Sequence, residues 1–174
     1  MSKSSQKQIE NDEKEVIREL QKNSKESIDK LAKNCGFSRQ KVWRIIKRLE
    51  ENKTIWGYHA VVDHEKLDLI HYLILIKKST QPVEHTANVI ISREIERKAD
   101  EIGISIETSH YLHGCYDWQI CFTAENIVMA KRFCEALNTT YAPSIKKLKL
   151  LEIIFPVKES GIQNPHLEGL KTFL

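Results

Sequence analysis

The sequence predicts an α+β protein in which three helices precede a β-α-β-β-α-β module. Three observations predict this fold class. As far as Leu49, apolar residues recur at the spacing of amphipathic helices. A continuous apolar run at residues 69–78 then has the form of a buried strand. Beyond it, helix-like and strand-like segments alternate, with Gly103 and Gly114 at two of the junctions.

The first helix is predicted to begin at Asp12, with acidic residues in its first turn that suit the positive end of the helix dipole. Val16, Ile17 and Leu20 form its apolar stripe. Residues 1–10 are polar, and we expect them to be frayed. This helix should pack on the two that follow.

The next two helices are joined by a tight turn. Ser27 can cap a helix over residues 27–34, and Gly36 can adopt the left-handed conformation that ends it. Phe37 is expected to fill the space between the helices, and Ser38 can cap the second one. Two short helices joined in this way form a helix-turn-helix, which places its second helix in the DNA major groove.

The second of these helices has one apolar and one polar face. Gln40, Arg44 and Lys47 fall opposite the apolar stripe. No acidic residue lies between Ser38 and Leu49, so the cations on this helix should repel one another unless an anion lies opposite. A solvated charged face is the alternative. The apolar stripe, which should pack inward, consists of Val42, Ile45, Ile46 and Leu49.

The polar face has the residue types that read DNA. Arg pairs bidentately with guanine and Gln with adenine, each worth about 1–3 kcal/mol of base discrimination, whereas Lys mainly contacts phosphate. Trp43 either touches a thymine methyl group or folds back on the domain, and the sequence leaves both open. The candidate DNA-binding residues are Ser38, Arg39, Gln40, Lys41, Trp43, Arg44, Lys47, Arg48, Lys25 and Ser27.

After these helices, Asn52 is predicted to supply a left-handed stop. Residues 55–62 have the pattern of a strand that forms a small wing or reaches a second subunit. The predicted domains are a (winged) helix-turn-helix domain at 11–62, a hinge at 63–68, a dimerisation and effector domain at 69–157, and a C-terminal extension at 158–174.

The second half has the order of a ferredoxin-like fold. Such a sheet buries one face under its helices, and a leftover apolar face usually meets a partner subunit. The predicted elements are a strand at 69–78, a helix at 83–102, strands at 104–113 and 116–123, a helix at 126–137 and a strand at 147–157.

Charge is distributed unevenly along the chain. The net charge is +3. Residues 1–66 contain 15 Lys and Arg against 11 Asp and Glu, a net +4, whereas residues 67–174 contain 12 against 13, a net −1. The excess of cations therefore accompanies the helix-turn-helix, as nucleic-acid binding requires.

Other function classes receive little support from the residues. The longest apolar run is too short to span a bilayer, and the polar N-terminus gives no secretory signal. Four cysteines without C-x-x-C spacing indicate a reducing, cytoplasmic setting. A Cys115–Cys121 redox pair, or a metal site of Cys115 with His110 and His113, has only weak support from spacing. Without a Gly-rich phosphate loop or a recognisable nucleophile, we expect neither an enzyme nor a cofactor.

Three stretches resemble one family of regulators. NDEKEVIRELQKN is similar to its opening helix, and residues 24–63 follow its helix-turn-helix and exit strand almost position by position. LHGCYDWQICF is similar to its hairpin with a Gly-x-x-Asp signature, here Gly114 and Asp117. Over residues 11–157 the chain thus resembles the Lrp/AsnC (leucine-responsive, feast/famine) transcriptional regulators.

The resemblance implies a prokaryotic, cytoplasmic, nucleoid-associated protein that forms homodimers through its C-terminal sheets and assembles further into tetramers or octamers. It also implies a small-molecule effector, typically an amino acid, near Gly114, Tyr116 and Asp117. The chain departs from the family pattern at Lys53 and Asp68, where Gly is usual, and at Ile45, where Arg is common; the tail at 158–174 is also additional.

The leading hypothesis is therefore a dimeric, sequence-specific DNA-binding regulator acting on double-stranded DNA, with no membrane partner. The alternative is a ligand-sensing or architectural assembly protein that binds DNA only non-specifically.

Overall fold

The computed structural model describes residues 3–80 and 84–174, which divide into two compact units. The first unit comprises the chain up to Val61 together with Val157–Leu167, and the second comprises Val62–Pro156 with Glu168–Leu174. The first unit begins with three helices, α1 (Lys3–Lys22), α2 (Ile28–Cys35) and α3 (Arg39–Glu51).

The three helices enclose a small apolar core, as their stripes predicted. Helix α1 starts at Lys3, so the expected fraying of residues 1–10 is wrong for residues 3–10, and residues 1 and 2 lie outside the described part. A bond from Gln8 Nε2 to Asp12 Oδ1 (2.9 Å) supports the early turns. The buried core residues are Val16, Leu20, Leu31, Ala32, Val42, Ile45 and Leu49.

The turn between α2 and α3 has the capping chemistry that its sequence predicted. Ser27 Oγ accepts a bond from the Lys30 N–H at 3.2 Å, and Ser38 Oγ accepts one from the Lys41 N–H at 3.3 Å. Gly36 is left-handed, with φ 66° and ψ 30°. Both helix starts and the intervening turn are therefore satisfied locally.

The end of α3 corrects one prediction. Asn52 is not left-handed (φ −84°); the left-handed residue is Lys53, with φ 61°. Asn52 Oδ1 instead accepts a bond from the Thr54 N–H at 3.0 Å, a local turn that holds Asn52 in the right-handed region and moves the left-handed step one residue on. Asp68 is likewise left-handed (φ 55°), so two positions where the resembled family usually has Gly keep the glycine-type backbone.

The strand predicted at residues 55–62 is wrong. Residues 56–63 have no regular secondary structure, because no strand in the described part of this chain pairs with them. Ile55 N–H bonds to Leu49 O at 3.0 Å, and Tyr58 Oη donates to Glu50 Oε1 at 3.0 Å, so the start of the segment is tied to α3. Trp56 is 94% exposed.

The second unit is the predicted ferredoxin-like fold. Its four strands form one antiparallel sheet in the order β2-β3-β1-β4. Two faces of β1 differ: Tyr72, Ile74 and Ile76 are buried against the helices, and the alternate residues lie on the outer face. The elements are β1 (Ile70–Lys78), α4 (Glu84–Ile91), α5 (Glu94–Glu101), β2 (Ser105–Tyr111), β3 (Trp118–Ala124), α6 (Ile127–Thr140) and β4 (Ile145–Glu152).

The prediction of a single helix at 83–102 is wrong in one respect, because this segment forms two helices, α4 and α5. Arg93 at the break is left-handed, with φ 54°. In one straight helix Ile91 and Ile95 would share a face, yet Ile91 is 78% exposed and Ile95 is buried. The break reorients α5 so that Ile95 and Ala99 reach the core. Val83, the predicted first residue, lies outside the described residues.

The segment predicted as a hinge contains a 3-10 helix, His64–Leu67, capped by Asp63. His64 Nε2 lies 2.8 Å from Glu107 Oε1, and His71 Nε2 on β1 lies 2.6 Å from Glu107 Oε2. Burial alone would raise the pKa of Glu107, but the hydrogen bonds and charges of the two histidines outweigh it and lower that pKa.

The C-terminal extension is ordered. It contains a short hairpin of β5 (Lys158–Glu159) and β6 (Ile162–Gln163), which belongs to the first unit, and a 3-10 helix at Leu167–Thr172. In the second unit the ring of Phe173 lies 5.7 Å from that of Phe155. No helix in the described part of the chain is both long and apolar enough to cross a membrane.

Candidate nucleic-acid interface

The outward face of α3 forms a shallow groove of about 480 Å³ together with the start of α2. Arg39, Gln40, Trp43 and Arg44 line it, with Ile28 from α2. Arg39 and Trp43 are four residues apart, as are Gln40 and Arg44. The two pairs therefore lie next to each other on one side of α3. The groove therefore combines guanidinium, amide and aromatic groups on the helix that a helix-turn-helix presents to DNA.

Lys41 makes contacts that stabilise the first unit. Its Nζ lies 2.7 Å from Asp12 Oδ2 on α1, and 3.8 Å from the centroid of the Phe37 ring. The hydrogen bond from Lys41 is the largest cause of a lowered pKa of Asp12. Lys41 therefore holds α3 against α1, and it would have to give up these contacts in order to bind a DNA phosphate.

Arg48 has a similar position on the same face of α3, two helical turns further along. Its Nε lies 2.7 Å from Glu13 Oε1, whose side chain is 21% exposed. Like Lys41, Arg48 therefore ties α3 to α1. Two of the sequence-predicted DNA contacts thus have tertiary partners that the helix sequence alone did not reveal.

Arg39 and Lys47 have weaker, exposed partners. Arg39 Nε lies 3.6 Å from Asp29 Oδ1, and Lys47 Nζ lies 3.8 Å from Glu51 Oε1. Exposed pairs of this kind are worth about 0–1 kcal/mol. Both cations can therefore exchange their carboxylate for a DNA phosphate at small cost.

Arg44 differs from the other four cations. Its Nε donates to the backbone oxygen of Gln40 at 3.3 Å, and no carboxylate within the described ranges pairs with its guanidinium. It is exposed on the groove. The repulsion expected among the cations of α3 is thus relieved for four of them by Asp12, Glu13, Asp29 and Glu51, and Arg44 keeps a free charge.

The remaining candidates have local roles or are exposed. The hydroxyls of Ser27 and Ser38 are engaged as helix caps, and Lys25 is exposed in the loop before α2. Trp43 is 51% exposed, so it does not fold back into the core. Whether each of these residues touches DNA stays a prediction.

The candidate effector residues lie at the β2–β3 turn of the second unit. Asp117 Oδ2 accepts bonds from the Lys78 N–H at 2.9 Å and from Lys77 Nζ at 3.1 Å. The bond from the Lys78 backbone is the largest cause of its lowered pKa. Asp117 thus holds the turn against the end of β1. Tyr116 is half-buried, with Lys149 Nζ 5.9 Å from its ring centroid, and Gly114 O lies 3.5 Å from Lys77 Nζ.

The weakly supported thiol and metal sites gain nothing from the structure. All four cysteines are free. Within the described residues, no group of three or more His, Cys, Asp and Glu side chains is arranged to hold a metal ion. The residues that sequence reasoning missed are Asp12 and Glu13. Their place in the first turn of the predicted α1, facing the basic helix, was the available signal.

Comparison with known proteins agrees with this geometry. Residues 13–55 match the family of winged helix-turn-helix DNA-binding domains. Among curated proteins, none matches the sequence.

Several solved structures share the fold over nearly their whole length. An AsnC family transcriptional regulator from Agrobacterium tumefaciens is 18% identical, with TM-score 0.63, over 90% of this chain and 96% of its own. A Neisseria meningitidis transcriptional regulator in complex with L-methionine is 15% identical (TM-score 0.64; 91% and 97%).

A feast or famine regulatory protein from M. tuberculosis, complexed with L-methionine, is 18% identical (TM-score 0.64; 86% and 94%). All three are described as transcriptional or feast/famine regulatory proteins. The resemblance is thereby confirmed at the level of the fold: residues 13–55 match winged helix-turn-helix DNA-binding domains, and the chain shares the fold of AsnC/Lrp feast/famine regulators.

Proposed function

We propose that this protein is a sequence-specific, dimeric DNA-binding transcriptional regulator that reads its operator with α3. The observation that carries the proposal is that Arg44 has no carboxylate partner among the described residues and lies on a groove that also presents Gln40 and Arg39. An uncompensated guanidinium beside an amide is the arrangement that reads guanine and adenine edges.

The ion-pair partners of the cations on α3 support different roles for these cations. Lys41 and Arg48 stabilise the unit through Asp12 and Glu13. Lys47, whose carboxylate contact is long and exposed, is placed to meet phosphate. Arg44 supplies base readout. Specific and non-specific binding therefore rest on different residues.

Titration of operator and random DNA at several salt concentrations tests this division. Arg44→Ala should lose about 1–3 kcal/mol of operator affinity per half-site and little affinity for random DNA. Lys47→Ala should weaken both alike and reduce the salt slope by about one. Arg18→Ala, an exposed arginine on α1, is the matched control and should change neither. Equal losses on both DNAs for Arg44→Ala would contradict the proposal and favour a non-specific, architectural role.

A homodimer is the second part of the proposal. Leu73 and Leu151 are directly paired on the outer face of the sheet, where Leu151 is 43% exposed, next to the half-buried Leu75. An apolar surface of this kind favours a partner, and a second copy gives the two-fold symmetry of a near-palindromic site with half-sites about one helical turn apart. Tetramers or octamers extend the same assembly.

Sedimentation measures the assembly directly. The wild type should sediment as a dimer or larger, and Leu73→Asp should shift it toward monomer. Ile91→Asp is the control, because Ile91 is an exposed apolar residue that lies on α4 and not on the sheet. A monomeric wild type, or a dimer unchanged by Leu73→Asp, would contradict this interface.

An amino-acid effector bound near Gly114, Tyr116 and Asp117 is the third part. Two of the similar structures hold L-methionine, and this turn is the position that the family resemblance implies. Because Asp117 is already occupied by Lys77 and the Lys78 backbone, a ligand amine would have to displace Lys77. Calorimetric titration with L-methionine should give saturable binding that Tyr116→Ala weakens; no binding by any common amino acid would contradict it.

A further inference from the structure

The groove on α3 has an apolar part that electrostatic contact with DNA leaves unused. The indole of Trp43 is 51% exposed and lines the groove opposite Ile28. Burial of aromatic surface is among the largest favourable contributions a side chain makes, so a half-exposed indole on a binding face indicates a contact made only in the complex.

The rim of the groove defines which group fits this apolar part. Arg39, Gln40 and Arg44 place hydrogen-bond donors around it, and none of the lining residues is acidic. The complementary group is therefore an apolar protrusion set among hydrogen-bond acceptors. In the major groove, the 5-methyl group of thymine is such a protrusion, beside its own O4 acceptor and near the N7 and O6 acceptors of neighbouring purines.

Lys47 contacts one face of the indole. Its Nζ lies 5.3 Å from the centroid of the Trp43 ring, one helical turn away. A lysine that meets phosphate while it contacts the indole would set the ring between the backbone and the base edges. The aromatic surface then faces the position of a thymine methyl group.

We infer that Trp43 and Ile28 read the methyl group of a thymine in each half-site, so that specificity is part apolar and part polar. This inference rests on the proposed operator binding and names the base feature that α3 recognises beside the Arg44 contact.

Replacement of thymine by uracil tests it, because the exchange removes only the methyl group. Operator DNA recovered from the genome is synthesised with uracil at each motif thymine in turn. Wild-type affinity should fall about fourfold at one half-site and up to about fifteenfold when both are changed, the effect of one lost methyl contact per half-site. Trp43→Ala should discriminate much less between the thymine and uracil operators than the wild type does.

Two further variants keep the test specific. Ile28→Ala should reduce the ratio of thymine to uracil affinity. Trp56→Ala removes a tryptophan that is 94% exposed and lies outside the groove, so it should leave that ratio unchanged. Thermal melting of Trp43→Ala is expected to match the wild type, because the indole is not part of the core.

The outcomes separate this inference from the proposed function. Recovery of no DNA motif overturns both. A motif that lacks thymine, or one whose uracil form binds the wild type as tightly, overturns the methyl readout and leaves the regulator intact. A uracil effect that persists unchanged in Trp43→Ala also overturns it.

Discussion

The groove on α3 and the β2–β3 turn both contain charged side chains but differ in how those charges are engaged. At the turn, the Asp117 carboxylate accepts from both Lys77 and the Lys78 backbone. On the groove, Arg44 has no carboxylate partner in the described part of the chain. A satisfied charge stabilises the fold it belongs to, whereas an unsatisfied exposed charge is available to a ligand. A charged residue that could bind DNA is therefore distinguished from one that stabilises the fold by whether it already has an ion-pair partner, and not by its residue type.

The largest loss of stability is expected on substitution of Glu107, whose two carboxylate oxygens each contact a histidine. Glu107→Gln weakens two contacts at once, to His64 and to the 8%-exposed side chain of His71, and should cost about 2 kcal/mol of unfolding free energy near neutral pH. Operator affinity per folded dimer should stay unchanged. Urea unfolding monitored by circular dichroism measures the loss.

The pH dependence of that loss follows from the lowered pKa of Glu107. Since the folded state holds this pKa below its ordinary value of 4.5, the ionised carboxylate contributes stability above that value and loses it as pH falls through the folded pKa. Wild type and Glu107→Gln should therefore converge in stability as the pH falls from 4.5 through the lower, folded-state pKa of Glu107. A difference that persists at lower pH would show that the contacts do not depend on charge.

Asp117→Asn is expected to have a smaller effect of the same kind. The side chain is partly exposed and loses its charge, although its amide oxygen can still accept one bond from the Lys78 N–H. The melting temperature should fall at neutral pH. Because the folded-state pKa of Asp117 is lowered, the difference should shrink as the pH falls past 3.8 and vanish only below that lowered pKa. An unchanged melting temperature would indicate that the carboxylate is available for ligand binding.

Arg48→Ala compares two arginines of one helix. It removes the partner of Glu13 and should reduce the unfolding free energy by about 1 kcal/mol, with the specificity for operator over random DNA kept. Arg44→Ala should show the reverse, with stability kept and specificity lost. The same outcome for both arginines, in melting and in DNA titration, would break the distinction between partnered and unpartnered cations.

Lys53→Gly is expected to have the smallest effect, and it should stabilise the protein. Lys53 adopts φ 61°, a conformation that costs an L-residue roughly 1–2 kcal/mol, whereas Gly adopts it freely but loses about 0.5–1 kcal/mol of backbone entropy on folding. The net gain should be about 0.5–1 kcal/mol in urea unfolding. Lys25→Gly in the exposed loop before α2 is the control. A loss of stability in Lys53→Gly would show that the lysine side chain outweighs the backbone strain.

Local signals in the sequence were enough to predict much of the fold. The caps at Ser27 and Ser38 and the turn at Gly36 depend on residues within one helical turn, and each was predicted correctly. The continuous apolar run at residues 69–78 likewise predicted a strand, which the structure places at Ile70–Lys78.

Features that depend on distant residues could not be predicted in this way. The break at Arg93 accompanies the different burial of Ile91 and Ile95. Among the described residues, no strand pairs with the segment predicted as a strand at 55–62. The pairing of Lys41 and Arg48 with α1 joins residues about 30 positions apart, beyond any local pattern. The residues of the polar face of α3 could therefore be predicted from the sequence. Which of its cations pair with α1 could not.

The measurement that tests the central claim most directly is sequencing of genomic DNA recovered with the wild type and with Arg44→Ala. The account predicts a recurrent, near-palindromic motif with the wild type, and its loss with Arg44→Ala while total DNA recovery remains comparable. Diffuse recovery without a motif, or a motif that Arg44→Ala retains, would contradict base readout by the free guanidinium of α3.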